Sequence, residues 1–128
     1  MEIFISHSER DTDWARSFAQ SLKQRGVTVW IDALDENVMP GESWPERLET
    51  GLRGSDVLVA LFDAESSSKP NLLIELGAAL GMGKRVVPIV PRGMDPSALP
   101  LNLHLRRYLI RNSPEQTAEE LSNTLQAA

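Results

Sequence analysis

The chain has 128 residues and no cysteine, and its 18 acidic and 13 basic side chains give a net charge of −5 at neutral pH. The length suits one domain over residues 1–128, and the lack of cysteine excludes disulfide frameworks, zinc–thiolate sites and cysteine nucleophiles. The negative charge argues against binding to nucleic acid or anionic membranes, and no apolar run approaches the ~20 residues of a membrane span, so we expect a soluble cytoplasmic protein.

The chain begins with the pattern of a strand, a helix and a second strand. Ile3 to Ile5 and Val27 to Ile31 are apolar runs that predict the two strands. Ser8 with Asp11 three residues later is typical of a helix N-terminus, and Gly26 can close the helix. The apolar stripe between them recurs every four residues at Trp14, Phe18 and Leu22. Trp30 ends the second strand, and the sequence allows it to be either a core residue or part of a binding site.

A long acidic loop follows the second strand. Residues 32–42 include three further carboxylates after Asp32, and the loop is longer than most connections of this type. Such loops often form lids or contact surfaces, although a solvated loop is the default interpretation. The capping box Ser43 to Glu46 then predicts a second helix. Val57 to Phe62, apolar almost without a break, predicts a central parallel strand. The apolar stripe of the second helix is Trp44, Leu48 and Leu52.

The third helix carries the most informative residue of the chain, Glu75. Serines at positions 66–68 can cap its start, Pro70 suits the first turn, and Gly81 and Gly83 can end it. At about 100° of rotation per residue, Glu75 falls on the flank of an apolar face. A carboxylate in that position is costly unless a function requires it. The residues of the apolar face are Leu72, Leu73, Leu76, Ala79 and Leu80.

The last third of the chain is less regular. Val86 to Val90 predicts a fourth strand, Tyr108 to Ile110 a short fifth one, and the capping box Ser113 to Gln116 begins a last helix. Arginines cluster in this part of the sequence, and we interpret them as a solvated face. They are Arg92, Arg106, Arg107 and Arg111.

Alternation of strands and helices predicts an α/β fold, a flavodoxin-like three-layer sandwich with a parallel sheet of about five strands in the order 2-1-3-4-5. The switch point of this order lies between the first and third strands, and ligands bind at such a point. It brings Ser6, His7 and Ser8 towards Glu75 and the serines at 66–68. No dinucleotide or phosphate-binding loop motif is present, neither histidine stands at metal-ligand spacing to an acid, and no nucleophile elbow supports a serine triad.

Several motifs, in this order, resemble the TIR (Toll/interleukin-1 receptor) domain family. Ordered matches at the right separations are more specific than any one of them, and the likeness is to bacterial effectors more than to animal adaptors. The motifs are Phe4-Ile5-Ser6-His7-Ser8, Val29-Trp30-Ile31-Asp32, Pro40-Gly41-Glu42, Ser55-Asp56-Val57, Glu75-Leu76-Gly77 and Lys84 to Ile89.

The resemblance implies an NAD+ nucleosidase. Enzymatic members of the family hydrolyse or cyclise NAD+ with a glutamate on the third helix, which corresponds to Glu75. The implied reaction cleaves the nicotinamide–ribose bond, with NAD+ as substrate and no cofactor or metal. The substrate-binding residues that the resemblance implies are Ser6, Ser8, Trp30, Asp32, Ser68 and Asn71.

Two other functions stay open at this point. One is a non-catalytic module that signals through TIR–TIR contacts, and the other is a receptor that binds a nucleotide in the same crevice without turnover. The glutamate at position 75 favours catalysis. The resemblance also implies self-association and dependence on a sensor domain or partner protein, as in bacterial immune or signalling effectors.

Overall fold

The structure is a computed structural model that describes residues 1–33, 51–63, 70–99 and 107–126. Its strands are β1 (Glu2–His7), β2 (Thr28–Ala33), β3 (Val57–Leu61), β4 (Arg85–Val90) and β5 (Leu109–Ile110). Its helices are α1 (Thr12–Gln24), α2 (Pro70–Gly81) and α3 (Pro114–Gln126), with 3₁₀ turns at Glu9–Asp11 and Pro96–Ala98. Residues 51–53 are also helical.

The five strands form one parallel sheet in the order β2-β1-β3-β4-β5. This confirms the predicted fold class and strand order. The β1 strand lies between β2 and β3, while β2 and β5 are the two edges of the sheet. The carboxyl ends of β1 and β3 are therefore neighbours, which is the arrangement that the predicted crevice requires.

Each face of the sheet has its own apolar core. Successive side chains of a strand point to opposite faces, so Ile3 and Ile5 pack with α1 and α3, whereas Phe4 packs with α2. The β3 strand is buried along its whole length because both of its faces are covered. The three layers of the predicted sandwich follow from these two cores.

Two of the helices, α1 and α2, are closed by a glycine. Gly26 has a φ of 83° and its amide donates to the carbonyl of Lys23 at 3.0 Å, which closes α1. Gly83 has a φ of 72° and bonds in the same way to Leu80 at 3.1 Å, which closes α2. Both positions match the predicted helix stops, because a left-handed conformation is readily adopted only by glycine. Ser113 caps α3, since its Oγ accepts from the amide of Gln116 at 3.2 Å.

Several sequence predictions lie outside the described residues. They are the acidic loop from position 34 onward, the start of the second predicted helix, the three serines at 66–68 and the irregular segment 100–106. Leu52, the last residue of the predicted stripe, is buried in the core beneath α2. In the part of the chain that is described, no helix is long and apolar enough to cross a membrane.

Candidate active site

The polar turn after β1 is buried. Ser6, His7 and Ser8 are at most 2% exposed, although they follow directly on the apolar part of the strand. The register of the sheet sets Ser6 beside Asp32 of β2 on one side and Ala60 of β3 on the other. These residues therefore meet at the carboxyl edge of the sheet, where the crevice was predicted.

Ser6 is an unusual buried hydroxyl. It alternates with Ile5 and so faces the same side of the sheet as Phe4, which is the side that α2 covers. Its Oγ is fully buried and has no hydrogen-bond partner among the residues that the structure describes. A buried hydroxyl without a partner costs about 1–3 kcal/mol, which makes Ser6 a candidate for binding a ligand.

His7 has a defined tautomer in this arrangement. Its Nδ1 lies 2.8 Å from the carbonyl oxygen of Ser8, and a carbonyl can only accept. The ring proton is therefore on Nδ1, and in the neutral ring Nε2 is an acceptor. This bond holds the imidazole against its own backbone turn, between the two serines.

Ser8 joins the turns after β1 and β3. Its Oγ donates to Oδ2 of Asp63 at 2.9 Å, and Oδ2 of Asp11 lies farther away at 3.4 Å. The expected helix N-terminus is found here, since the 3₁₀ turn Glu9–Asp11 leads directly into α1, but Asp11 makes no side-chain cap bond to that helix. Asp63 was missed at the sequence level. A signal existed, since it is the first polar residue after a fully apolar strand.

Asp11 is also part of a network that ties α1 to the turn before α3. Its Oδ1 lies 2.8 Å from Nη1 of Arg111, and the Arg111 guanidinium stands 4.6 Å from the centre of the Trp14 ring. The Trp14 indole N–H donates to the carbonyl of Asn112 at 3.1 Å. The interpretation of the arginines as a solvated face is therefore wrong for Arg111, which holds the β1–α1 turn in place.

Glu75 lies in the second turn of α2 and is fully buried. The helical projection placed it on the flank of the apolar face, so its complete burial is a correction. Its two neighbours in the chain differ in exposure: Leu76 is also fully buried, whereas Ile74 is 51% exposed. Glu75 and Ser6 are thus both buried on the side of the sheet that α2 covers.

The structure says less about the other predicted site residues. Trp30 is 51% exposed on the edge strand β2, so its interpretation as a core residue is excluded. Asp32 reaches the crevice edge through the backbone register with Ser6, and Asn71 lies in the first turn of α2. Ser68 is outside the described residues. In the described ranges no three His, Cys, Asp or Glu side chains are grouped to hold a metal ion.

This fold defines an α/β protein with buried polar side chains at the switch point of a parallel sheet, the place where such folds bind ligands. The family follows from comparison with known proteins. The chain belongs to the TIR domain family, whose family profile matches residues 3–126. The resemblance seen in the ordered motifs is thereby confirmed.

Two curated relatives have enzyme names. The 2' cyclic ADP-D-ribose synthase AbTIR of Acinetobacter baumannii is 26% identical over 129 residues, which cover 97% of this chain and 47% of that protein. The probable 2' cyclic ADP-D-ribose synthase TcpO of Methanobrevibacter olleyae is 35% identical over 65 residues, or 50% of this chain and 18% of that protein. The chain spans less than half the length of both relatives.

Solved structures share the fold. The TIR domain of the Toll-related receptor TRR-2 from Hydra magnipapillata superposes with a TM-score of 0.73 at 16% identity, covering 98% of this chain and 95% of that one. The CMP N-glycosidase BcmB of Clostridium botulinum superposes with a TM-score of 0.67 at 17% identity, covering 95% and 98%. At these identities the likeness concerns the fold alone.

Proposed function

We propose that this chain cleaves the nicotinamide–ribose bond of NAD+, as a TIR-domain glycohydrolase or cyclase, with Glu75 as the catalytic carboxylate. The observation that carries the proposal is the complete burial of Glu75 on the side of the sheet where Ser6 keeps a buried hydroxyl. Membership of the TIR family and the names of the two curated relatives support the reaction class.

The chemistry fits one carboxylate. As the C1'–N bond breaks, its electron pair moves to the pyridinium nitrogen, so nicotinamide leaves neutral and needs no general acid. The ribose becomes oxocarbenium-like, and a carboxylate beside it stabilises the developing positive charge. Capture by water forms a C1'–O bond and releases a proton to give ADP-ribose, whereas capture by a hydroxyl of the same nucleotide gives a cyclic product.

The remaining residues bind the substrate in this proposal. Ser6 donates its unused hydroxyl to a ribose oxygen, and Ser8, whose proton is engaged by Asp63, accepts from a ribose hydroxyl. Trp30 offers an exposed ring on which a base stacks. The family resemblance is the basis for proposing further substrate contacts from Asp32, Ser68 and Asn71. It is also the basis for proposing a cytoplasmic location and a role in bacterial immunity or signalling.

The test compares three proteins at high concentration, with and without a crowding agent. NAD+ is incubated with the wild type, with Glu75→Gln and with Glu119→Gln, an exposed glutamate of α3 that serves as the matched control. Chromatography with mass detection should show nicotinamide release by the wild type and the control only. Equal release by all three proteins would exclude Glu75 as the catalytic group.

A signalling module that works through self-association is the second candidate, and one observation favours it. The sequence of α2 contains one charged residue, the buried Glu75. Ile74 is 51% exposed, and Met82, just beyond the end of the helix, is 40% exposed. Exposed apolar patches often mark contact surfaces. Ile74→Lys should shift the protein towards monomer in light scattering at high concentration, whereas the control Gln20→Lys, at an exposed position of α1, should not. An unchanged mass distribution for Ile74→Lys would reject this surface.

A further inference from the structure

A cavity lies at the end of the sheet opposite to the candidate active site. It has a volume of about 240 Å³ and opens between β4, β5 and α3. The β4 strand begins at its wall, and α3 reaches it with the last turn, so the cavity is at the amino ends of the strands. The residues that line it are Arg85, Val86, Val87, Arg107, Leu109 and Thr124.

No acidic side chain is among the described residues that line this cavity, so its two guanidinium groups have no counter-charge there. Arg85 and Arg107 are both exposed, and neither forms an ion pair or hydrogen bond within the described ranges. Arg111, in contrast, is neutralised by Asp11, and Arg92 donates to Asn112 Oδ1. Two positive charges around one cavity repel each other, and this cost is removed when an anion binds between them.

The floor of the cavity is apolar. The β5 strand pairs with β4 only at Ile89 and Val90, so the preceding part of β4 has no neighbour of β5 beside it. Val87 and Leu109 line the space that this leaves. An apolar floor lowers the local dielectric constant and so strengthens the attraction between an anion and the guanidinium groups.

We infer that this cavity binds a small organic phosphate. Two guanidinium forks match the several oxygens of a phosphate dianion, whereas one carboxylate would satisfy only one fork. The hydroxyl of Thr124 adds a donor, and the carbon part of the ligand lies against Val87 and Leu109. The volume is below the ~300 Å³ of the smallest usual drug-sized pockets, which suits a sugar phosphate better than a dinucleotide.

This site is independent of the proposed enzymatic function. It lies at the amino ends of the strands, whereas Ser6 and Ser8 lie at the carboxyl ends. Bound phosphate therefore does not compete with NAD+ for the crevice. If one of the two proposed sites is refuted, the other is unaffected, because ligand binding at each site would shift the NMR signals of different backbone amides.

The experiment is a titration of the ¹⁵N-labelled chain, followed by amide NMR at constant ionic strength. Ribose 5-phosphate is the probe, with ribose and inorganic phosphate as separate arms. We expect saturable shifts at Arg85 to Val87 and at Leu109, with no response to ribose and weaker binding of inorganic phosphate. The double variant Arg85→Gln/Arg107→Gln should bind the probe about tenfold more weakly or worse. The control variant Arg16→Gln/Arg25→Gln changes two exposed arginines at α1 and should bind as the wild type does.

Several results would overturn the inference. One is a shift that does not saturate, and another is binding that the double variant leaves unchanged. Inorganic phosphate binding as tightly as ribose 5-phosphate would show that the apolar floor contributes nothing. A double variant that alters the oligomeric state in sedimentation, with no probe binding to the wild type, would make the cavity a protein interface instead.

Discussion

Ser6→Ala is expected to make the protein more stable and less active. The Ser6 hydroxyl is fully buried with no partner in the described part of the chain, so the folded state carries its desolvation cost. Removing one oxygen from a site of this kind should raise the free energy of unfolding by about 1 kcal/mol. In a chain of 128 residues this corresponds to a rise in Tm of about 3–5 °C.

The matched control is Ser55→Ala, which removes a different kind of buried hydroxyl. Ser55 is 2% exposed, and its Oγ donates to the carbonyl of Gly51 at 2.7 Å. Its loss should lower the free energy of unfolding by about 1 kcal/mol, because the carbonyl stays buried without its donor. Thermal and urea unfolding measure both variants, and nicotinamide release measures the activity of Ser6→Ala. If Ser6→Ala is destabilised as much as Ser55→Ala, the hydroxyl of Ser6 is structural and the reasoning fails.

Four further substitutions test the packing of the fold. Gly51→Ala should destabilise the protein by about 1–3 kcal/mol, because the added Cβ would lie 2.5 Å from Cε2 of Phe4. Gly77→Ala should stabilise it by about 0.5–1 kcal/mol, because the added Cβ meets nothing within 4 Å and alanine has the higher helix propensity. Thermal unfolding that ranks the two variants in the reverse order would refute this. Arg111→Gln should cost about 1–3 kcal/mol, because it leaves Asp11 without its ion pair, and a cycle with Asp11→Asn should show coupling between the two positions. Additive effects in that cycle would contradict the contact.

The sheet was predictable because each strand is a short apolar run. Val57 to Leu61 shows this best, since a strand buried on both faces has no polar residue to confuse the pattern. The predicted order also placed β2 at an edge, so the exposure of Trp30 follows from it. Burial in the core and a place in a binding site were both open for Trp30 in the sequence, because tryptophan is largely but rarely fully buried.

The details of the site were less predictable, for two physical reasons. A helical projection gives the direction of Glu75 around the axis of α2 but not its depth, which depends on how closely the helix packs on the sheet. The bond from Ser8 to Asp63 joins residues 55 positions apart, and only the parallel pairing of β1 with β3 brings them together. The local pattern gave only the start of the helix and the nearer contact, between Ser8 and Asp11 at 3.4 Å.

The rate of nicotinamide release by folded Glu75→Gln, relative to wild type at saturating NAD+, tests the central claim most directly. Circular dichroism first establishes that the variant is folded, since glutamine keeps the volume and nearly the helix propensity of glutamate. The account predicts a wild type that releases nicotinamide and a variant that is slower by about 10²–10³-fold or more. A folded variant that keeps a rate close to the wild type, or a wild type that leaves NAD+ intact in its assembled state, would contradict it.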